Sequence, residues 1–505
     1  MKHHTPFRLV IAMIGIIATG LTQAMDYGEG RANHSDAIAL DNAGGIHAHW
    51  RAVGRLQMTD PTSQSRCTAA LIDSRDRISG LSGPAYILTS GHCVSKHSLN
   101  FTNDLPVTGH IDFDYFLGNT QNTERYALKK VIRATMRGTD LALIELDSPL
   151  QALLEKGIEP LALSGQAPVA GMDLMIVGAP SGHEEAPGLR LALCAYQAQE
   201  DLVEDVYVFR RFLKHRCAGV AAGSSGSPVL DRQTNRIVAV LSTSTTNARE
   251  ENRCQDNAPC EIKNGQPVWS PETQYSSPAI DLKTCFSQGH FNPLDTECVL
   301  YPTLHMTLGD TYSPKTYSRI TLDEQGNAVA PRWSWPFSLD TALYRYKAAR
   351  SPSACESPHG YSGVLDATQA LIDEQLQADP GMHLLCIVGV GSATQPPEWA
   401  VMNKPVIVAM EVVPPGPTRM PELMIERLTE GGYAVRPYRS RPSLWVYTFK
   451  SGAPETTQCD DPEGYTPEFG DVKTIDVTQL PLTLCSRVYD MSRQASLPRT
   501  DLLLP

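Results

Sequence analysis

The chain has 505 residues, 12 cysteines and a formal net charge of −12. It is too long for a single hydrophobic core, so we expect two or three domains. The acidic balance argues against nucleic-acid binding through a basic face, and the even number of cysteines favours an oxidising compartment.

The first 24 residues have the pattern of a secretory signal peptide. Lys2 and Arg8 precede an apolar run from Leu9 to Leu21, and Thr22-Gln23-Ala24 places small residues where a signal peptidase reads. The run is too short to span a membrane, and no other segment is long and apolar enough to do so. We therefore expect an exported protein, extracellular or periplasmic, with no transmembrane segment.

Three stretches of the first half carry residues suited to nucleophilic catalysis. An apolar strand, Ala85 to Thr89, leads to His92; Asp140 stands at the start of a second apolar strand; a Gly-Ser-Ser-Gly-Ser-Pro turn holds Ser225. A serine hydroxyl needs a histidine base and a carboxylate that orients it. We predict that these three side chains act together, with the backbone N–H groups of Gly223 and Ser225 as an oxyanion hole.

Each of these motifs alone has a simpler structural explanation. A Gly-Ser-Ser-Gly stretch is often a flexible turn, a histidine before a cysteine is often structural, and an acid at a strand start is often a cap. Their order along the chain and their strand contexts together favour catalysis. The esterase nucleophile elbow is disfavoured, because Ser227 stands where that motif needs glycine and the chain order differs.

The three motifs resemble those of the chymotrypsin-like serine endopeptidases. Thr89 to Cys93, Asp140 to Leu143 and Ser225 to Pro228 are similar to that family's Thr-Ala-Ala-His-Cys, Asp-Leu-Ala-Leu and Ser-Gly-Gly-Pro. The resemblance implies an all-β, trypsin-like double six-stranded barrel over residues 25–290 that hydrolyses protein or peptide substrates without a cofactor. No Cys-x-x-Cys or His-x-x-x-His spacing is present, so no metal site is expected.

One position in the nucleophile loop departs from part of this family. Zymogen-type members have an aspartate before the nucleophile, which receives a newly cut N-terminus, whereas this chain has Ser224. The loop is closer to the Gly-Asn-Ser-Gly of the bacterial secreted branch. The resemblance therefore implies that no N-terminal cut is needed to organise the oxyanion hole.

The resemblance also implies where a substrate binds. The implied substrate-binding residues are Gly219, Val220, Ser242, Thr243 and Ser244. Gly219 would floor the primary pocket, Ser242 would bond to Asp140, and the backbone of Ser244 would pair with the substrate as an added strand. Because no carboxylate stands at Gly219, we expect cleavage after uncharged, small to medium apolar residues. The family has tryptophan at the position of Thr243, so the shape of this side of the substrate-binding site stays open.

All twelve cysteines are predicted to form disulfides. The resemblance implies the pair Cys67–Cys93. We further pair Cys194 with Cys217, Cys254 with Cys260, Cys355 with Cys386 and Cys459 with Cys485, and we leave Cys285 and Cys298 without an assigned partner. Spacing alone does not fix connectivity, so other pairings stay open beyond the first.

The C-terminal part contains an internal repeat. Cys355-Glu356-Ser357-Pro358-His359-Gly360-Tyr361 returns as Cys459-Asp460-Asp461-Pro462-Glu463-Gly464-Tyr465. Repeated units with strand alternation predict two immunoglobulin-like β-sandwich modules, residues 291–415 and 416–505. They could bind a surface or a partner protein, assist folding during secretion, or act as spacers. The alternative for the whole chain is a catalytically silent adhesin or binding protein with a protease fold.

Overall fold

The computed structural model describes Met1 and residues 26–60, 63–76, 79–95, 99–181, 186–300, 304–309, 314–396, 399–402, 404–438 and 444–505. Apart from Met1, the predicted signal peptide lies outside these ranges. The described regular structure is nearly all β, as the sequence predicts. No helix among the described residues is long and apolar enough to cross a membrane.

The first part of the chain forms a closed six-stranded barrel. The strands in this part of the chain are β1 (Ile38–Ala39), β2 (Val53–Asp60), β3 (Ser63–Leu71), β4 (Pro84–Thr89), β5 (Phe101–Pro106), β6 (Thr108–Phe113), β7 (Glu124–Thr135) and β8 (Leu141–Pro149). The order β7-β6-β2-β3-β4-β8 closes because β8 pairs back to β7. Fully buried apolar side chains such as Leu56, Ile87 and Ile144 fill the core of this barrel. Strands β1 and β5 lie outside the ring.

A second ring of six strands follows the helix α1 (Leu150–Glu155). Its part of the chain contains β9 (Asp173–Gly178), β10 (Arg190–Glu204), β11 (Tyr207–His215), β12 (Pro228–Asp231), β13 (Ile237–Ser244), β14 (Cys260–Lys263), β15 (Gln266–Val268) and β16 (Gln274–Pro278). The order β11-β16-β13-β12-β9-β10 closes because β10 pairs back to β11. The hairpin β14–β15 extends the edge of β10.

The remaining residues form smaller sheets. Their strands are β17 (Phe286–Ser287), β18 (His290–Phe291), β19 (Tyr317–Arg319), β20 (Thr321–Leu322), β21 (Ala328–Val329), β22 (Trp335–Pro336), β23 (Leu343–Ala349), β24 (Leu365–Asp366), β25 (Leu371–Ile372), β26 (Gly381–Val390), β27 (Val406–Val413), β28 (Leu423–Arg427), β29 (Tyr433–Pro437), β30 (Leu444–Gly452), β31 (Thr466–Glu468), β32 (Lys473–Ile475), β33 (Leu482–Asp490) and β34 (Arg499–Leu503). The larger sheets run β19-β27-β26-β23-β24, β28-β29-β32 and β31-β30-β33-β34. Their immunoglobulin-like identity and the boundaries at 290 and 415 stay predictions.

Helical structure in the described part of the chain is confined to short segments. The α-helices after α1 are α2 (Pro352–Cys355) and α3 (Trp399–Met402). The 3-10 turns are Ala43–Gly45, Ala48–Trp50, Gly91–Cys93, Glu250–Asn252, Ile280–Cys285 and Val477–Gln479.

The structure contains six disulfides. They join Cys67 to Cys93, Cys194 to Cys217, Cys254 to Cys260, Cys285 to Cys298, Cys355 to Cys386 and Cys459 to Cys485. The first of them ties β3 to the 3-10 turn that carries His92. A cross-link at this point limits how far the imidazole can move from the barrel.

Candidate active site

His92 and Asp140 are brought together by the first barrel. The buried strand β4 ends at Thr89, and the turn Gly91–Cys93 presents the imidazole, while Asp140 directly precedes β8. The Nδ1 atom of His92 lies 2.7 Å from Oδ2 of Asp140, and the backbone N–H of His92 donates to Oδ1 at 2.8 Å. The side chain of Asp140 is 1% exposed and that of His92 is 17% exposed. The imidazole is thus oriented by a buried carboxylate and still reaches the solvent side.

The surroundings of Asp140 keep its carboxyl group ionised. The Oγ atom of Ser242 donates to Oδ2 at 2.5 Å, and the backbone N–H of Asp140 donates to Oγ of Ser277 at 3.2 Å. Burial alone would raise the pKa of Asp140, but the nearby His92 and the hydrogen bonds from His92 and Ser242 outweigh it and lower the pKa. A carboxylate in this state stabilises an imidazolium that forms beside it.

The loop of Ser225 is packed against the strand that leads to His92. The carbonyl of Ser225 accepts a hydrogen bond from the backbone N–H of Thr68 at 2.8 Å. The carbonyl of Leu241 accepts from both Gly226 N, at 2.9 Å, and Ser90 Oγ, at 2.7 Å. At Gly226, where φ is +84°, a Cβ atom would lie only 2.1 Å from Thr68 O. Half-buried Ser225 therefore lies at the junction of the two barrels, in a loop that is bonded to the elements that hold His92 and Ser242.

The two predicted oxyanion donors have no protein partner within the described part of the chain. No acceptor there receives the N–H of Gly223 or of Ser225. The φ of Gly223 is +90°, a conformation that glycine adopts without strain. Both N–H groups are therefore available to a ligand oxygen, which is the chemical requirement for stabilising a tetrahedral oxyanion.

Ser242, Thr243 and Ser244 form an open edge at the end of β13. On one side, Thr243 and Ser244 pair with Tyr275 and Gln274 of β16. On the other side, the pairing of β13 with β12 ends at Val240. A strand edge that is paired on one side only can accept an extended peptide as an additional strand.

Glu204 is a buried carboxyl beside this edge that the sequence patterns did not single out. Its Oε1 atom accepts from Thr243 Oγ1 at 3.0 Å and from Asn257 N at 2.7 Å. Burial raises the pKa of Glu204 to about 7, and the two hydrogen bonds oppose that rise. The signal available in the sequence was an acid at the end of the apolar pair Leu202-Val203.

Gly219 and Val220, two of the predicted substrate-binding residues, differ in their surroundings. Gly219 is exposed with φ at +79°, and a Cβ atom there would lie 2.5 Å from Cβ of Ala37. Val220 is partly buried and packs against the core of the second barrel. Among the described residues, no hydrogen bond joins either of them to Ser242 or Ser244, so their place in a substrate pocket stays a prediction.

Two histidines lie next to cysteine pairs, but neither group offers thiolate ligands. His92 lies beside Cys67 and Cys93, and His215 lies beside Cys194 and Cys217. All four sulfurs are in disulfides. Burial lowers the pKa of His215 to about 3, and its Nε2 atom is 2.7 Å from Ser276 Oγ. His215 is therefore a neutral side chain of the barrel interior.

Comparison with known proteins gives one family and several distant structures. Residues 67–240 match the family model of the trypsin-like peptidase domain. The thermostable serine protease AL20 from an extremophilic microorganism is 13% identical, with a TM-score of 0.30, over 46% of this chain and 92% of that one.

Two further structures are similar at the same level. Protease Anisep from Arthrobacter nicotinovorans is 13% identical, with a TM-score of 0.31, over 47% of this chain and 95% of that one. Human heparin binding protein is 13% identical, with a TM-score of 0.30, over 49% of this chain and 92% of that one. Likeness at this level says nothing about what the present chain acts on. No curated protein matches the sequence.

Proposed function

We propose that this chain, a serine peptidase by its trypsin-like peptidase domain, hydrolyses peptide bonds with Ser225 as nucleophile, His92 as general base and Asp140 as the group that orients the base. The observation that carries the proposal is the 2.7 Å contact between His92 Nδ1 and a carboxylate that is 1% exposed. A buried carboxylate that orients an imidazole in this way has a clear chemical use beside an accessible hydroxyl.

The reaction follows from these positions. Ser225 Oγ attacks the carbonyl carbon of the substrate, and Nε2 of His92 takes the hydroxyl proton while Asp140 stabilises the imidazolium. The N–H groups of Gly223 and Ser225 bind the oxygen that becomes negative. The imidazolium then gives its proton to the leaving amine, and a water molecule repeats both steps on the acyl-enzyme to release the acid and restore Ser225.

The preference for uncharged, small to medium apolar residues before the scissile bond is part of the proposal. Its support is that Gly219 offers no carboxylate for a basic side chain, and that Val220 beside it is apolar. Cleavage of a peptide library by the wild-type protein tests it. Dominant cleavage after Arg, Lys or Glu would contradict it.

Export of the chain through a signal peptide is also proposed. Six disulfides support it, because such bonds persist in oxidising compartments. A surface or partner protein for the C-terminal region stays a prediction.

Labelling with a fluorophosphonate tests the nucleophile directly. We expect the wild-type protein to be labelled and Ser225→Ala to lose both labelling and peptide hydrolysis. Ser224→Ala is the matched control, because Ser224 is the adjacent serine of the same loop and is only 3% exposed. It should still be labelled. Absence of labelling and of cleavage in the folded wild-type protein would favour the catalytically silent binding protein instead.

A further inference from the structure

The nucleophile loop is held by its carbonyl groups. All four carbonyls of residues 222–225 accept hydrogen bonds. Ala222 O accepts from Ser181 N at 2.8 Å and from Ser181 Oγ at 3.1 Å, and Ser224 O accepts from Ser227 N at 3.0 Å and from Ser227 Oγ at 2.6 Å. Gly223 O accepts from Thr68 Oγ1 at 2.9 Å, and Ser225 O accepts from Thr68 N at 2.8 Å.

These bonds also set the direction of the two free N–H groups. A trans peptide unit is planar, so its C=O and N–H point in opposite directions, and the loop contains no cis peptide bond. Fixing Ala222 O therefore aims the N–H of Gly223, and fixing Ser224 O aims the N–H of Ser225. The hydroxyl groups of Ser181 and Ser227 thus act on the oxyanion donors through one peptide plane each.

Thr68 ties this loop to both barrels. It is fully buried, and each of its polar atoms has a partner. Besides the two bonds to the loop, its Oγ1 accepts from Ala179 N at 2.9 Å, and its carbonyl accepts from Thr89 Oγ1 at 2.8 Å. Thr89 lies three residues before His92, so the same residue connects the base, the nucleophile loop and the second barrel.

The loop has little room for another arrangement. A Cβ atom on Gly223 would lie 2.7 Å from Ser181 N and 3.1 Å from Ser181 Oγ. Ser227 is fully buried, and its hydroxyl has its acceptor inside the loop itself. A carbonyl is most stable when its hydrogen-bond donors are in place, so each hydroxyl favours one orientation of the peptide unit whose oxygen it binds.

We propose that the hydroxyl groups of Ser181, Ser227 and Thr68 are positioning groups that fix the N–H donors of Gly223 and Ser225 in the orientation that binds the oxyanion. Ser181 and Ser227 hold the two peptide units that carry these donors, and Thr68 holds the oxygen of Gly223 in the unit that lies between them. The proposal rests on the proposed peptidase function and adds the residues that prepare its transition-state site before substrate arrives. None of the three hydroxyls touches the reacting atoms in this role. Their contribution is to the orientation of the donors alone.

The test separates binding of the ground state from binding of the transition state. Thr68→Val keeps the shape of the side chain and removes its hydroxyl, and Ser227→Ala removes the second hydroxyl. Removing an oxyanion donor costs about 10²–10³ in kcat; since these groups act through orientation, we expect a loss of about tenfold to a hundredfold in kcat, with KM within about twofold. Affinity for a peptide aldehyde, whose adduct carries the oxyanion, should fall by the same factor as kcat.

Two further variants keep the outcome clear. Thr68→Ser restores the hydroxyl and should recover most of the kcat lost in Thr68→Val. Thr448→Val is the matched control, because Thr448 is 6% exposed and its hydroxyl also donates to a backbone carbonyl, that of Arg487, in the C-terminal region. It should leave kcat and aldehyde affinity unchanged.

The results that would overturn this inference differ from those that would overturn the proposed function. A wild-type protein that is labelled by the fluorophosphonate, together with folded Thr68→Val and Ser227→Ala proteins of unchanged kcat, overturns the positioning role alone. Equal losses in aldehyde affinity and in affinity for a non-covalent substrate analogue also overturn it. A wild-type protein that is not labelled overturns both. If Thr68→Val does not fold, Ser227→Ala and Thr68→Ser decide the result.

Discussion

Two buried glutamates near the candidate site have pKa shifts of opposite sign. Among the described residues, the hydrogen-bond donors to Glu204 are Thr243 and the N–H of Asn257, which carry no formal charge, and burial raises the pKa of Glu204 to about 7. Glu261 is also fully buried, but Lys214 and Lys263 lie 2.5 Å and 2.7 Å from its oxygens. Burial acts to raise the pKa of Glu261 as well, but the hydrogen bonds from these lysines and Tyr275 lower it overall.

The raised pKa of Glu204 predicts that stability falls as pH rises. Between its unfolded pKa of 4.5 and its folded pKa of about 7, the native state holds a proton that the unfolded state has lost. Stability therefore declines across this window, by about 3 kcal/mol at most. Glu204→Gln keeps an acceptor for Thr243 and Asn257 and cannot ionise. We expect it to match the wild type in denaturant unfolding at pH 5 and to be more stable at pH 8.

Glu261→Gln is the matched control and should behave in the opposite way. Because the folded pKa of Glu261 is lowered, its stabilising contribution is present above the unfolded pKa of 4.5 and is lost as pH falls through the folded value. This variant should be less stable than the wild type at both pH 5 and pH 8. A Glu204→Gln protein that is destabilised at pH 8 would contradict the raised pKa.

At the scale of elements, the strands that could be predicted from the sequence are those whose residues are buried without interruption. The strand β4 and the strand β8 that follows Asp140 are short apolar runs bounded by turn residues, so both could be predicted. The strand β10 is long and ends at Glu204. Its register shifts at two places along its pairing with β11, and such bulges break the alternation of apolar and polar residues. The local pattern therefore does not show that Glu204 still belongs to this strand.

Contacts between distant residues could not be predicted from local pattern. Thr68 lies in the strand β3, and its hydrogen bond to Gly223 joins residues 155 positions apart. A threonine in an apolar strand has no signature that distinguishes this contact from an ordinary barrel position. The pairing of Ser242 with Asp140 was expected only through the family resemblance, because hydroxyl and carboxylate are 102 positions apart.

The disulfide Cys67–Cys93 gives a prediction at this scale. Replacing both cysteines with alanine should cost about 3 kcal/mol for a loop of 26 residues. Since Cys67 precedes Thr68 and Cys93 follows His92, we expect kcat to fall as well. Denaturant unfolding and peptide hydrolysis measure the two effects.

The disulfide Cys459–Cys485 provides an equal comparison, because it also spans 26 residues. Its replacement by two alanines should weaken the C-terminal region by a similar amount and leave kcat unchanged. Equal losses of kcat in the two double variants would show that the position of the first disulfide has no special effect on the site.

At the scale of the whole molecule, the C-terminal region contacts the segment before Asp140. The guanidinium of Arg137, a residue that is 5% exposed, donates to Met306 O at 2.9 Å and to Lys404 O at 3.0 Å. Arg210 donates its backbone N–H to Gly138 O at 2.9 Å, and its side chain is paired with Glu356 at 2.9 Å. The C-terminal region therefore supports the loop that ends in Asp140 directly through Met306 and Lys404, and indirectly through Arg210 of β11, which is paired with Glu356.

This support predicts that Arg137 affects turnover although it lies outside the proposed triad. Arg137→Met leaves two buried carbonyls without their donor, at about 1–3 kcal/mol each, and frees the segment before Asp140 to move. Misplacement of a catalytic group by about 1 Å can cost a hundredfold in rate, so we expect kcat to fall by about tenfold or more, with little change in KM.

Arg350→Met is the matched control, because Arg350 also links the two regions, donating to Gly265 O at 3.4 Å and to Pro380 O at 3.0 Å. It should weaken that contact and leave kcat intact; equal turnover in both variants would mean that the C-terminal region does not hold the carboxylate in place.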